Sequence, residues 1–345
     1  MVSHRLRTFE EKSFVYQSTL CRRALPAVAL VAGLAACSGQ APGTGVTPQA
    51  LAPARSGAVP AKSTSHIFTV SMYLYHIVGF DLGASGNVKP AIDIYGTRTK
   101  LQSPESLAVD ALGNLYTARS GGTKVQVFGA RANGNAAPKR NIGGSRSHLG
   151  PTDGLMIDPA GNLWVSNIVG NAITEYAPGV HGNVKPIDTI GGSNTQLSAP
   201  TGMAMSADGR LYVANQTTGT IAIFAAGAKG NVAPVATIGG SKAGLQAPFA
   251  LAFDSNGRLL VADVYSGLLV FAKGASGNTA PVAKITSVAR PSGIVADAQN
   301  NIWATDTSYQ SISEFAPNAN GNATPLATIA GSNTNLDGPM YLVIH

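Results

Sequence analysis

Two cysteines are all that 345 residues carry, Cys21 and Cys37, and the first stands before a segment that reads as cleavable. A chain left with one cysteine forms no intramolecular disulfide, so the remaining thiol needs another use. Inside the later part of the chain no segment keeps a 3.6-residue apolar period, which argues against helices there. Neither GxSxG, nor a phosphate-binding loop, nor a Cys–His pairing occurs in it. The histidines beyond the leader, His66, His76, His148, His181 and His345, share no repeat position, so a histidine zinc site or acid–base pair has no support.

What the chain has in quantity is one phrase of eleven residues: an aromatic, a loop, Gly-Asn, two residues and Pro. It reads FDLGASGNVKP from Phe80, FGARANGNAAP from Phe128, YAPGVHGNVKP from Tyr176, FAAGAKGNVAP from Phe224, FAKGASGNTAP from Phe271 and FAPNANGNATP from Phe315. Successive Gly-Asn pairs are 48, 48, 48, 47 and 44 residues apart, a period that signals a propeller or solenoid. Each repeat holds four short β-type segments separated by Gly, Asn, Asp and Pro. The first follows a Pro, as in PESLAVD and PTGMAMS; the second reads LYTAR, LWVSN, LYVAN, LLVAD or IWATD; the third ends on the aromatic; the fourth follows the Pro of the phrase. Four antiparallel strands make one propeller blade. The aromatics share one repeat position and, with Trp164 and Trp303, read as the core between blades.

Each strand type occurs six times. The chain enters on a second strand at Ile67 and ends on a first strand from Met340 to Ile344, so the two partial blades complete one another. The expected fold is therefore all-β, a six-bladed β-propeller closed by pairing the C-terminal first strand with the N-terminal strands. Closure of this kind hides sheet edges. The motif PxGxxxDxxGNLYVAN, followed by a strand ending in Phe and then IGG, resembles the NHL-repeat β-propellers. Its Gly-Asn-rich form is similar to repeat proteins of bacterial envelopes. That family includes protein-binding, RNA-binding and enzymatic members, so the resemblance implies a fold and leaves function to the site.

Residues 1 to 36 read as a lipoprotein signal peptide. Arg22 and Arg23 precede ALPAVALVAGLAA, about 13 residues against the ~20 of a membrane-spanning helix. Leu34-Ala35-Ala36-Cys37 resembles the bacterial lipobox, which implies acylation of Cys37 and a lipid anchor in the membrane. Residues 37 to 65, rich in Gly, Ala, Pro, Ser and Thr, read as a flexible tether, and 66 to 345 as the propeller. The whole chain carries a net charge of +7. The leader holds five basic and two acidic residues, so about four positive charges remain after cleavage and nucleic-acid binding gains little support. A monomer at the bacterial cell envelope is the expected form.

First strands start and second strands end on one face, which places two rings of side chains around the channel mouth. The second-strand ring is Ser71, Arg119, Asn167, Asn215, Asp263 and Asp306; the first-strand ring is Glu105, Asp153, Thr201, Phe249, Ser292 and Met340. Asp153 follows an extra residue in PTDGLMID. Glu105, Asp153, Asp263 and Asp306, with Asn167 and Asn215, have the oxygen chemistry for Ca²⁺ or Mg²⁺. PTDGLMIDPAGNLWVS is also similar to a stretch of the SMP-30/gluconolactonase family, which implies a metal-binding role for Asp153 and Glu105. That family's Asn at a first-strand start is replaced here by Thr201, Phe249 or Ser292. These acids are expected to face water. Asp110, Asp158 and Asp254 on the opposite face read as turn formers; the Gly-Asn pairs read as turns between third and fourth strands or as a carbohydrate-facing ring. The expected function is a lipid-anchored binding or scaffolding module for a protein or carbohydrate ligand. The alternative is a divalent-metal-dependent, lactonase-like hydrolase or lyase.

Overall fold

The computed structural model describes residues 65 to 345 apart from Ser120. The signal segment, Cys37 and the tether up to residue 64 lie outside the described residues. Six four-stranded antiparallel sheets form the propeller. Blade 2 comprises Pro104–Val109, Leu115–Arg119, Lys124–Phe128 and Arg140–Gly143 from channel to rim, and blades 3 to 6 repeat this order, with first strands Thr152–Ile157, Pro200–Met205, Pro248–Phe253 and Pro291–Ala296. Blade 1 is composite: Pro339–Ile344 pairs with His66–Ser71, which continues into His76–Asp81 and Ile92–Ile94. His66 N donates to the carbonyl of His345 at 2.7 Å and the reverse bond is 3.0 Å, so the two ends of the propeller are locked together.

The recurring aromatics fill the seams. Phe80, Phe128, Tyr176, Phe224, Phe271 and Phe315 are at most 1% exposed. Phe224 packs with Trp164 and Ile173 of blade 3, Phe271 with Tyr212 and Ile223 of blade 4, and Phe80 with Trp303 and Ile312 of blade 6. Each aromatic thus covers the blade before its own, and each burial is worth roughly 1.5 to 3 kcal/mol.

The Gly-Asn pairs do more than turn the chain. In every blade the Gly bridges to the outer strand of the preceding blade: Gly86 to Ile329, Gly134 to Ile94, Gly182 to Ile142, Gly230 to Ile190, Gly277 to Ile238 and Gly321 to Ile285. In five of the repeats the Asn that follows adds a side-chain bond, as when Asn231 Oδ1 accepts from Asn194 N at 2.7 Å. Asn87, Asn135, Asn183 and Asn278 do the same to Asn333, Arg98, Arg146 and Lys242. Gly192 shows why IGG recurs: at φ +119° it sits under this amide, and a Cβ there would lie 2.6 Å from the Asn231 side chain. These oxygens are engaged between blades, so the Gly-Asn pairs clasp neighbouring blades as well as turn the chain. Short outer strands, three or four residues each, are capped in this way against edge pairing.

Candidate functional site

The second-strand ring lies where it was expected, at the strand ends near the channel-mouth face, but its side chains are spent on the backbone. Asp263 Oδ2 accepts from Gln246 N and Ala247 N at 2.8 and 3.0 Å, and Oδ1 from Tyr265 N and Ser266 N. Asp306 repeats this with Ala289, Ser308 and Tyr309. Asn167 and Asn215 accept from Gly150 N and Ser198 N, and Ser71 exchanges bonds with Asp337. All five residues are buried. Each pins the loop that leads into the first strand of its own blade. Arg119 alone in this ring is exposed, donating to Gln102 Oε1 at 2.9 Å.

The first-strand ring behaves differently because a β-bulge interrupts the pairing of each first strand just inside its start. Bulges release residues from the ladder and re-aim their side chains. The glycines beside them are demanded by close approach: a Cβ on Gly202 would lie 2.4 Å from the carbonyl oxygen of Phe249 on the next first strand. Thr201 and Ser292 use their hydroxyls on the carbonyls of Pro248 and Pro339, tying adjacent blades. Blade 1 carries Tyr341 where its neighbours carry small residues, and Tyr341 adopts φ +47°. Its ring meets Phe249 of blade 5 at 5.2 Å, and its hydroxyl donates to Asp153 Oδ1 of blade 3 at 3.0 Å. Three alternate blades therefore join across the channel and close this end.

Asp153 was expected to face water. It is 5% exposed, because the Tyr341 plug covers it. Burial, and next the Glu105 carboxylate of the adjacent blade, push its carboxyl well above the ordinary range, while the Tyr341 hydroxyl pulls the other way. Burial, and next Asp153, hold the Tyr341 phenol well above its own ordinary value. The metal set does not assemble: Asp263 and Asp306 are saturated by N–H donors, and among the described residues no three His, Cys, Asp or Glu side chains converge on one point. The donor set that the SMP-30-like stretch implied around Glu105 and Asp153 thus does not fit a Ca²⁺ or Mg²⁺ here. Tyr341 and its partnership with Asp153 escaped the sequence reading, although a Tyr in the repeat position of Gly293 was the available signal.

On the opposite face the turn-forming acids match expectation. Asp110 accepts from Leu112 N and Asn114 N; partial burial raises its carboxyl, but the Asn114 side chain first, then Asn114 N, the Tyr116 hydroxyl and Leu112 N, outweigh that and hold it below the ordinary value. Asp158 and Asp254 close the equivalent loops of blades 3 and 5 through Asn162 N and Arg258 N.

One feature of the channel-mouth face is free of these duties. The loops between second and third strands carry Tyr265 in blade 5, Tyr309 in blade 6 and Tyr73 with Tyr75 in blade 1, between 48 and 71% exposed. Blades 2 and 4 have Gly121 and Thr217 at the corresponding place. Tyr95 extends the series: it stacks on His76 at 4.9 Å, and His76 Nδ1 lies 2.7 Å from Asp93 Oδ1.

No family profile matches the chain, and no curated protein matches it by sequence. Solved structures do resemble it. The WD40 β-propeller domain of Doa1 aligns at 10% identity over 77% of this chain and 80% of that one, with a TM-score of 0.54. A protein of unknown function from Bacteroides caccae aligns at 13% identity over 81% and 98%, with a TM-score of 0.56. At such identities the likeness establishes the propeller fold and no activity.

Proposed function

We propose that the protein is a lipid-anchored propeller of the bacterial cell envelope, of NHL-like type, that binds a protein partner through its channel-mouth face. The observation that carries this reading is the run of exposed tyrosines, Tyr265, Tyr309, Tyr73 and Tyr75, over three consecutive blades. Tyrosine brings large contact area at small entropic cost and is enriched in protein interfaces. The polar rings beneath it are engaged in holding loops and blades, so binding chemistry falls to the loops. Anchoring rests on the lipobox-like Leu34-Ala35-Ala36-Cys37, since acyl chains contribute about 0.8 kcal/mol per buried CH₂.

Both halves are tested in intact cells. Cys37→Ser is expected to move the protein out of the membrane fraction; a mature-size variant that still sediments with membranes refutes the anchor. Tyr265→Ser combined with Tyr309→Ser is expected to abolish the protein cross-linked to the wild type while leaving the melting temperature unchanged. Retention of the same cross-linked species by the double variant refutes the tyrosine face.

A further inference from the structure

The first strands divide into two halves of opposite chemistry. Their first halves hold the bulges, the acids and the plug. Their last three residues are apolar in every blade: Leu107-Ala108-Val109, Leu155-Met156-Ile157, Met203-Ala204-Met205, Leu251-Ala252-Phe253, Ile294-Val295-Ala296 and Leu342-Val343-Ile344. Successive strand residues point to opposite sides, and each first strand is packed between two neighbouring blades, so an unbroken apolar run covers both sides.

These residues enclose space. A cavity of about 610 Å³ opens between the strand-connecting loops on the face opposite the tyrosines, walled by Val109, Met156, Met203, Met205, Leu251 and Phe253. It shares Val109, Met156, Met203 and Leu251 with a deeper cavity of about 260 Å³ that reaches Tyr341. The channel is therefore wide at one face, narrow inside and closed at the far end, where Tyr341 bonds to Asp153. The size and apolar lining suit small-ligand sites, and flexible methionines adapt to an irregular apolar guest. Two of the acids around the opening are paired with arginines, and Asp158 keeps its charge among neutral donors. Asp158, the ionisable group in the wall, is held by Asn162 N at 2.8 Å and Trp164 Nε1 at 3.0 Å. Asp208 pairs with Arg210, and Asp254 with Arg258. Leu112, 78% exposed, stands beside the lining residue Ala111.

We infer that this blind apolar channel is a binding site for a neutral single-chain lipid, whose alkyl chain enters from the face opposite the tyrosines and whose uncharged head stays at the wide opening. The taper selects one chain over two. The Asp158 carboxylate in the wall repels a carboxylate head, and neutral N–H donors from Asn162 and Trp164 already occupy both of its oxygens. This site is independent of the protein-binding face and of Cys37.

The probe is the neutral dye N-phenyl-1-naphthylamine, titrated into the purified full-length protein and displaced with monolaurin. Saturable binding near one dye per chain, displaced by monolaurin and much less by laurate, is the expected result. Ala252→Trp, which fills the narrow part, is expected to weaken dye binding at least about tenfold, whereas Tyr265→Ser on the other face leaves it unchanged. Should Ala252→Trp fail to fold, Met205→Lys at the opening gives the same reading, because a lysine there reaches solvent while charging the entrance. Absence of saturable dye binding overturns the proposal, as do undiminished affinity in a variant that melts like the wild type and equal displacement by laurate.

Discussion

The two ends of the channel are built from the same six strands and could hardly differ more. At one end Asp153, Glu105, Tyr341, Thr201 and Ser292 gather polar groups, and nearly all of them are engaged with one another or with backbone. At the other end the cavity wall is mainly apolar, with Asp158 as its one ionisable group, and the acids around it form turns. Ionisable residues concentrated at a propeller mouth suggest a reactive site, yet burial and internal partners make these ones part of the scaffold. The chemically plain end is where space remains for a guest.

The sharpest way to break this contrast is to remove residues 339 to 345. That deletion takes away the strand that supplies Tyr341 and pairs with His66–Ser71, along with buried Met340 and Leu342. Each such side chain is worth roughly 1.5 to 3 kcal/mol against a typical total of ~5 to 15 kcal/mol. The protein is expected to unfold or aggregate in size-exclusion chromatography, and a wild-type melting temperature would disprove the closed ring. Tyr341→Ala should cost about 3 to 5 kcal/mol in chemical denaturation, by analogy with buried aromatic truncations. Tyr341→Phe, which removes only the hydroxyl bond to Asp153, should cost about 1 to 3 kcal/mol. An equal cost for the two would show that the bond, and not the ring, closes the channel.

Next in size comes the pH dependence of Asp153. A carboxyl that binds its proton more tightly folded than unfolded favours the folded state only while protonated, so its contribution is lost as pH rises from 3.8 toward the folded value. Asp153→Asn keeps a neutral side chain beside Tyr341 at every pH. Its stability relative to wild type should therefore grow from acid toward neutrality, and parallel stability curves for the two proteins would show that Asp153 is solvated. A smaller effect is expected from Asn231→Ala, which deletes one bond between blades and should cost about 1 kcal/mol in the same denaturation series. Smallest on stability is Tyr309→Ser, at most about 0.5 kcal/mol for an exposed loop residue. A larger loss would mean that the tyrosines belong to the scaffold as the acids do.

Much of the architecture was legible because it is local and repeated. The Pro that opens PTGMAMS, the Asp-turn in DSNGR and the aromatic that closes each third strand act within a few residues, and recurrence six times averages out the ambiguity of any single short strand. Ring closure was legible for the same reason: an incomplete first blade and an incomplete last one need each other. The site was legible only as positions. Asp263 and Asp306 stand where the repeat phase placed them, yet the N–H groups of Gln246 and Ala289 that satisfy them belong to loops 17 residues earlier, whose course no local pattern dictates.

The sequence by itself determined the blade count, the strand order, the closing strand and the seam aromatics, because hydrophobic period and turn chemistry are short-range properties of the chain. The lipobox-like segment around Cys37 is a property of the same kind. Tertiary structure alone decided which polar groups are spent and which space is empty. Tyr341 and Asp153 are 188 residues apart and meet only because blades 1 and 3 face the same narrow channel. Whether a carboxylate is a ligand or a buried brace depends on what covers it, and the covering residue comes from wherever the ring brings it.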